Sequence, residues 1–132
     1  MKRSALCIAV AATAWLASTG TVQAQTYPSK PIRLIDPFAP GGGTDIVARL
    51  LAEKLSERLK GTFLVENKPG ASNTIAAELT ARAPADGHTL LVATNTGQAI
   101  APHLLKLAFD PMRDLVPIGL VVKSPVIVPA SA

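Results

Sequence analysis

The sequence predicts an α/β fold built on a parallel sheet, and three observations carry that expectation. Short apolar runs alternate with stretches of helical periodicity along the chain. Turn signals separate them, at Lys68-Pro69-Gly70 and Pro84-Ala85-Asp86-Gly87. Thr89-Leu90-Leu91-Val92-Ala93 is almost continuously apolar, as expected of a strand covered on both faces by crossover helices.

The elements follow in order. Ile32–Asp36 is the first expected strand, and Pro37-Phe38-Ala39-Pro40-Gly41-Gly42-Gly43 bends away from it. A helix is then expected from Thr44 to Lys60, because Ile46, Val47, Leu50, Leu51, Leu55 and Leu59 recur at helical spacing. Thr44 can cap it, Asp45 suits the positive end of its dipole, and Gly61 can take the left-handed position that stops it. Arg49, Glu53, Lys54, Glu57 and Arg58 form its charged face, expected to be solvated. Phe63–Glu66 is the second strand and Ser72–Arg82 the second helix, with Ile75 and Leu79 on one face and alanines permitting close packing. Thr89–Ala93 is the third strand. The polar loop Thr94-Asn95-Thr96-Gly97-Gln98 leads to a short helix near Ala99–Leu105, and Phe109–Asp114 is a connection. Pro117–Val122 reads as a fourth strand and Val126–Val128 as the start of a fifth.

The first residues have the form of a secretory leader. Lys2 and Arg3 precede an apolar run from Ala5 to Ala17, and Val22-Gln23-Ala24 carries small residues at the cleavage-determining positions. Cleavage is expected after Ala24, so residues 1–24 are a signal peptide and the protein is exported. The apolar run is too short to span a bilayer. Cleavage removes Cys7, the only cysteine, so residues 25–132 must fold on an apolar core without a disulfide. It also removes Lys2 and Arg3, which lowers the formal charge from +4 to +2. The remaining basic residues are interleaved with acids, which is no nucleic-acid footprint.

Chemistry concentrates at the glycine-rich bend. A bend feeding a helix N-terminus presents unpaired N–H groups and the positive end of the dipole, and so attracts small anions, carboxylates included. The same glycines can also serve as a tight structural turn. If the second strand lies on one side of the first and the third on the other, a crevice opens beyond the carboxyl ends of strands one and three. The loops Pro37–Asp45 and Thr94–Gln98 would both face that crevice. No lysine follows Gly41-Gly42-Gly43, which excludes a Walker-type phosphate loop, and Ile46 and Ala48 stand where a dinucleotide fingerprint needs its last glycine. Ser72, Thr96 and Ser124 lack an identifiable base, and there is no G-x-S-x-G elbow. His88 and His103 lack metal-binding companions and are expected at the surface or at an edge. Asp36, at the end of the first strand, is expected to point to solvent. Turned into the crevice, it would repel a carboxylate or receive an amino group.

Four blocks carry a resemblance. Tyr27–Ile35 with Pro37–Asp45, Glu66–Ala71, Ala83–Leu91 and Phe109–Leu115 resemble, in the same order, blocks of the Bug-type receptors. These are the periplasmic solute-binding proteins of tripartite tricarboxylate transporters. The resemblance implies a type II periplasmic-binding-protein fold, in which two α/β lobes close on a small carboxylated ligand. It implies no cofactor and no catalytic residue, a periplasmic location, and a membrane permease as partner. Phe38, Ala39, Pro40, Gly41 and Gly42 match the family's first ligand loop, and Thr94, Asn95 and Thr96 match the second. The loop carrying Ser72 and Asn73 flanks them.

Three departures stand out. Asp36 occupies a position that is usually apolar, and Asn73 one that is usually glycine. The chain also matches only about the first third of a family member. It is expected to supply part of the N-terminal lobe without the second lobe, and therefore to bind weakly or not at all. The competing expectations are a truncated product without binding activity and, from another class, a small exported α/β enzyme.

Overall fold

The computed structural model describes residues 26–124. The expected signal peptide and the expected fifth strand lie outside the described residues. The elements are β1 (Ile32–Asp36), α1 (Gly43–Leu59), β2 (Phe63–Asn67), α2 (Thr74–Ala81), β3 (Thr89–Leu91) and α3 (Ala101–Leu104). A 3₁₀ turn, Ala71–Asn73, precedes α2, and a π-type turn, Thr96–Ile100, runs into α3.

All three strands are parallel, in the order β2-β1-β3. β1 pairs with β2 from Ile32↔Phe63 to Asp36↔Asn67, and with β3 from Arg33↔Thr89 to Ile35↔Leu91. The chain winds one way through α1 and then reverses through α2. Right-handed crossovers in opposite directions put the two helices on opposite faces. On the α1 face, Ile32, Leu34, Ala52 and Phe63 form the buried cluster, with Leu55, Val65, Leu90 and Val92 packed against it. Ile35 points to the other face, where α2 buries Ala76 and Ala77.

Several local expectations change. Helix α1 turns Asp45, Ala48 and Ala52 inward, while Ile46 is 62% exposed and Leu50 also lies on the outside. Two alanines one turn apart let the helix axis approach the sheet, so its inner face is a small-residue face. Its N-cap is Gly42 rather than Thr44, and no side chain caps it. The left-handed C-cap is Lys60 (φ 52°), not Gly61. Gly61 is needed for space, because a Cβ there would overlap the Pro28 ring. In α2 the alanines do pack inward, but Ile75 is exposed beside Gly70. Strand β3 is half-buried along its length, since among the described residues only β1 flanks it. The expected fourth strand, Pro117–Val122, does not form: those residues have no regular structure, and Val116, Ile118, Leu120, Val121 and Val122 are exposed. Strand propensity is not enough without a partner edge, because each strand needs a neighbour for its N–H and C=O groups.

The start of the described chain is tied to the loop before β3. Tyr27 Oη donates to Gly87 O (2.8 Å), and Lys30 pairs with Asp86 (2.7 Å). That lysine, together with the His88 N–H, holds the Asp86 carboxyl down at about 2. His88, expected at the surface or at an edge, is buried: Nε2 accepts from Ser29 N–H (3.3 Å) and Nδ1 lies 2.9 Å from Asp86 O. His103 is exposed on α3.

Candidate functional site

The two candidate loops leave neighbouring strands at the same end of the sheet. Ile35 O still accepts from Val92 N–H (2.9 Å), just where the loops part. The strand order supplies the switch point that the sequence anticipated, between β1 and β3.

In the first loop Pro37 is fully buried and Phe38 is partly exposed. Gly41 has φ +85°, and open space surrounds the position a Cβ would take. Glycine is therefore required there for its backbone angle rather than for room. The loop amides have defined partners. Gly42 N–H turns back to Ala39 O (3.4 Å), and Gly41 N–H donates to Asp45 Oδ2 (2.9 Å). With no side-chain cap on α1, the N–H groups of Gly43 and Thr44 have no acceptor among the described residues.

Behind this loop lies a polar cluster that holds it in place. Asp45 is only 3% exposed and accepts from Gly41 N–H, from Arg49 Nε (2.9 Å) and from Asn67 Nδ2 (2.9 Å). The Arg49 bond, then the Gly41 and Asn67 bonds, hold its carboxyl far below the usual carboxylate range. Arg49 is therefore not merely a solvated residue: it also donates from Nη2 to Asn67 Oδ1 (3.3 Å), and Asp45 raises its pKa. Asn67 Nδ2 further reaches Phe38 O (3.1 Å) and Asp36 Oδ2 (3.0 Å).

Asp36 does not point to solvent, nor does its carboxylate face a ligand. It is 0% exposed and bonded to Asn67 and, at 3.4 Å, to Phe38 N–H. Burial pushes its pKa up, and the nearby Asp45 charge adds to that, while the hydrogen bonds oppose it. The last residue of β1 shares a face with Ile32 and Leu34, and here that face is covered by the start of α1.

The second loop is braced from the turn after β2. Thr94 is half-buried, with Oγ1 3.2 Å from Asn73 Nδ2, and Gln98 N–H donates to Thr94 O (3.1 Å). Asn95 and Thr96 are exposed. Gly97 is buried against Asn73, and a Cβ at Gly97 would lie 3.2 Å from the Asn73 Cβ. Ala71, Ser72 and Asn73 are all left-handed (φ 45°, 54° and 73°), an arrangement that side chains other than glycine resist.

Two shallow surface hollows lie elsewhere. One of about 420 Å³ runs between α1 and β2, lined by Arg49, Ala52, Ser56, Phe63 and Leu64. The other, about 290 Å³, surrounds Tyr27, Lys30, Asp86 and His88. Among the described residues no group of His, Cys, Asp and Glu side chains is gathered as a metal site, and no helix is long and apolar enough to cross a membrane. The residues that sequence reasoning missed are Asn67 and the inward role of Arg49. The four-residue spacing of Asp45 and Arg49 was visible as a helix-face pair. Asn67 could be found only through the strand register that sets it beside Asp36.

A reversed parallel sheet with polar loops at its switch point defines a lobe of the periplasmic-binding-protein kind. Residues 47–132 match the model of the tripartite tricarboxylate transporter family receptor, and the chain belongs to that family. A UPF0065 protein of Bordetella pertussis is 40% identical over 122 residues, covering 90% of this chain and 38% of its own length. Protein BugT of the same organism is 39% identical over 108 residues, covering 80% of this chain and 33% of its own. Among solved structures, MatC from Rhodopseudomonas palustris with bound malate superposes with a TM-score of 0.68 at 38% identity, covering 72% of this chain and 33% of that one. A periplasmic transporter structure gives a TM-score of 0.62 at 48% identity, over 66% and 30%. The chain spans about a third of the length of the curated relatives it matches.

Proposed function

We propose that this chain carries the carboxylate-contacting loops of a periplasmic solute-binding receptor, delivering a small di- or tricarboxylate to a membrane permease. The role is binding rather than catalysis. The observation that supports it is the strand order β2-β1-β3, which puts two polar loops at the same end of adjacent strands, one of them feeding the uncapped N-terminus of a 17-residue helix. Phe38, Ala39, Pro40, Gly41 and Gly42 form one wall, and Thr94, Asn95 and Thr96 the other. The malate named with MatC, a relative at 38% identity, supports a carboxylate ligand. The leader-like first residues support export, with cleavage after Ala24.

The two loops by themselves cover only one side of a ligand, so the test is made on isolated residues 25–132. Binding is therefore weak, on the order of millimolar, or about 4 kcal/mol. Calorimetric titration of residues 25–132 with succinate, malate and citrate tests this. Saturable heat with the acids and none with their amides supports the proposal. Silence with all three acids at tens of their expected dissociation constant refutes it, and micromolar affinity refutes the one-sided grip.

A further inference from the structure

We propose that residues 26–30 form a pH-sensitive strap across the amino ends of the sheet, held while the His88 ring is neutral and released when it takes up a proton.

The strap lies at the end of the sheet opposite the two candidate loops, and the entries of all three strands meet it. It leads into β1 directly. Pro28 sits against Gly61, ahead of β2, and Tyr27 Oη donates to Gly87 O (2.8 Å), ahead of β3. Lys30 pairs with Asp86 (2.7 Å). Pro28 is half-buried, whereas Thr26, Tyr27, Ser29 and Lys30 are exposed, so few contacts hold the segment and it can open without the sheet.

His88 is buried beside this strap, and its two ring nitrogens have opposite roles. Asp86 O is a carbonyl and only accepts, so Nδ1, at 2.9 Å, carries the hydrogen of the neutral ring. Nε2 is left as the acceptor for Ser29 N–H (3.3 Å). Protonation puts a hydrogen on Nε2 and sets two donors face to face. Asp86, with Oδ1 3.4 Å from Nδ1, then holds the charged ring where it is, and the ring competes with Lys30 for that carboxylate. The strap loses its Ser29 bond outright and part of its Lys30 pair, while His88 N–H keeps Asp86 Oδ1 (3.0 Å). The remaining neighbours do not offset this. Tyr27 meets the imidazole edge-on, with ring centroids 5.1 Å apart. Arg33 on β1 gives His88 O only its backbone N–H (2.8 Å), because Glu66 takes its guanidinium. Imidazole gains its charge between about pH 5 and 8, so the strap is held above that window and opens as pH falls through it.

Residues 25–132 carry their own probe: Tyr27 is the only tyrosine, and Trp15, the only tryptophan, lies in the expected leader. The experiment follows Tyr27 fluorescence, the His88 ring signals and amide exchange of the ¹⁵N-labelled chain by NMR from pH 8 to 5, for wild type and His88→Gln. In the wild type, Ser29 N–H protection, corrected for the intrinsic pH dependence of exchange, should fall at least tenfold. Tyr27 emission should change with it, both at the midpoint of the His88 ring, while the β1 amides stay protected. H88Q retains an acceptor and cannot titrate, so both readouts should be flat. Ser29 protection that is absent at pH 8 or unchanged as His88 titrates overturns the proposal. So does a His88 ring that stays neutral down to pH 5, the same pH response in H88Q, or loss of β1 protection in the same step. Should H88Q fail to fold, the coincidence of the His88 and Ser29 midpoints in the wild-type chain decides by itself.

Discussion

Asn67→Ala removes one amide group on which a fully buried carboxylate depends. Asn67 Nδ2 has two hydrogens and lies within reach of three acceptors, Asp36 Oδ2, Phe38 O and Asp45 Oδ1. Asp45 keeps Gly41 and Arg49 when the amide is lost. Asp36 keeps only Phe38 N–H at 3.4 Å, a long and weak bond. A hydrogen bond to a charged group contributes about 1.5–3 kcal/mol, and leaving a buried acceptor unsatisfied costs a similar amount. The expected loss at pH 7 is therefore about 2–4 kcal/mol. That is a large fraction of the ~5–15 kcal/mol typical of a domain. For a domain of this size it lowers the melting temperature by roughly 10–20 °C.

The pH dependence identifies the cause. Asp36 has a folded pKa above its unfolded value, so its burial penalty is fully present at high pH and disappears as the carboxyl protonates. Losing Asn67 raises that pKa further, so the deficit of N67A relative to wild type narrows as pH falls from 7 toward 4. Urea denaturation followed by circular dichroism at pH 7, 5.5 and 4.5 measures this. In a D36L background, where no charge is buried at that site, the cost of N67A should fall by at least half. A loss below about 0.5 kcal/mol, or a deficit independent of both pH and residue 36, would refute the argument that Asn67 carries the Asp36 charge.

Three further outcomes are expected. Gly61→Ala drives a methyl into the Pro28 ring and should cost about 1–3 kcal/mol in a thermal melt, with most of the loss recovered in P28A/G61A. Ser72→Gly relieves a left-handed serine and should raise stability by about 1 kcal/mol, whereas N73G gives less because it also loses the Thr94 contact. Asp45, Asp86 and Glu66 have folded pKa values below their unfolded ones, the last through Arg33, so their contribution is present above about pH 4 and lost as pH falls toward 2. Stability measured from pH 6 to 2.5 should fall below pH 4, and D86N should flatten the last part of that fall.

Much of the fold was legible in the residues. Ile32–Asp36 occupies the expected strand, and the helix after the glycines shifts by a single residue at each end, because apolar periodicity and glycine punctuation are local signals. The switch point was expected only if the second and third strands flank the first, and the strand order β2-β1-β3 meets that condition. Loops whose shape depends on distant partners were less legible. Ser72 was expected to open a helix and instead sits in a left-handed turn, since Asn73 N–H bonds to Gly70 O and Asn73 packs on Gly97. His88 was expected at the surface or at an edge; it directly precedes the edge strand β3, but the incoming segment at Ser29 covers it.

The sequence by itself determined the α/β alternation, the two candidate loops and the family, all of which are written in short-range pattern and ordered blocks. Only the tertiary structure decided where the charges go. Asp36 was expected in solvent, with the cleft as the alternative, and strand register instead set it beside Asn67 where α1 covers it. Pro117–Val122 had every local mark of a strand, yet it has no neighbour to complete its hydrogen bonds among the described residues. Burial and pairing depend on residues far apart along the chain, so they become fixed only when the sheet closes its register and the helices pack across it.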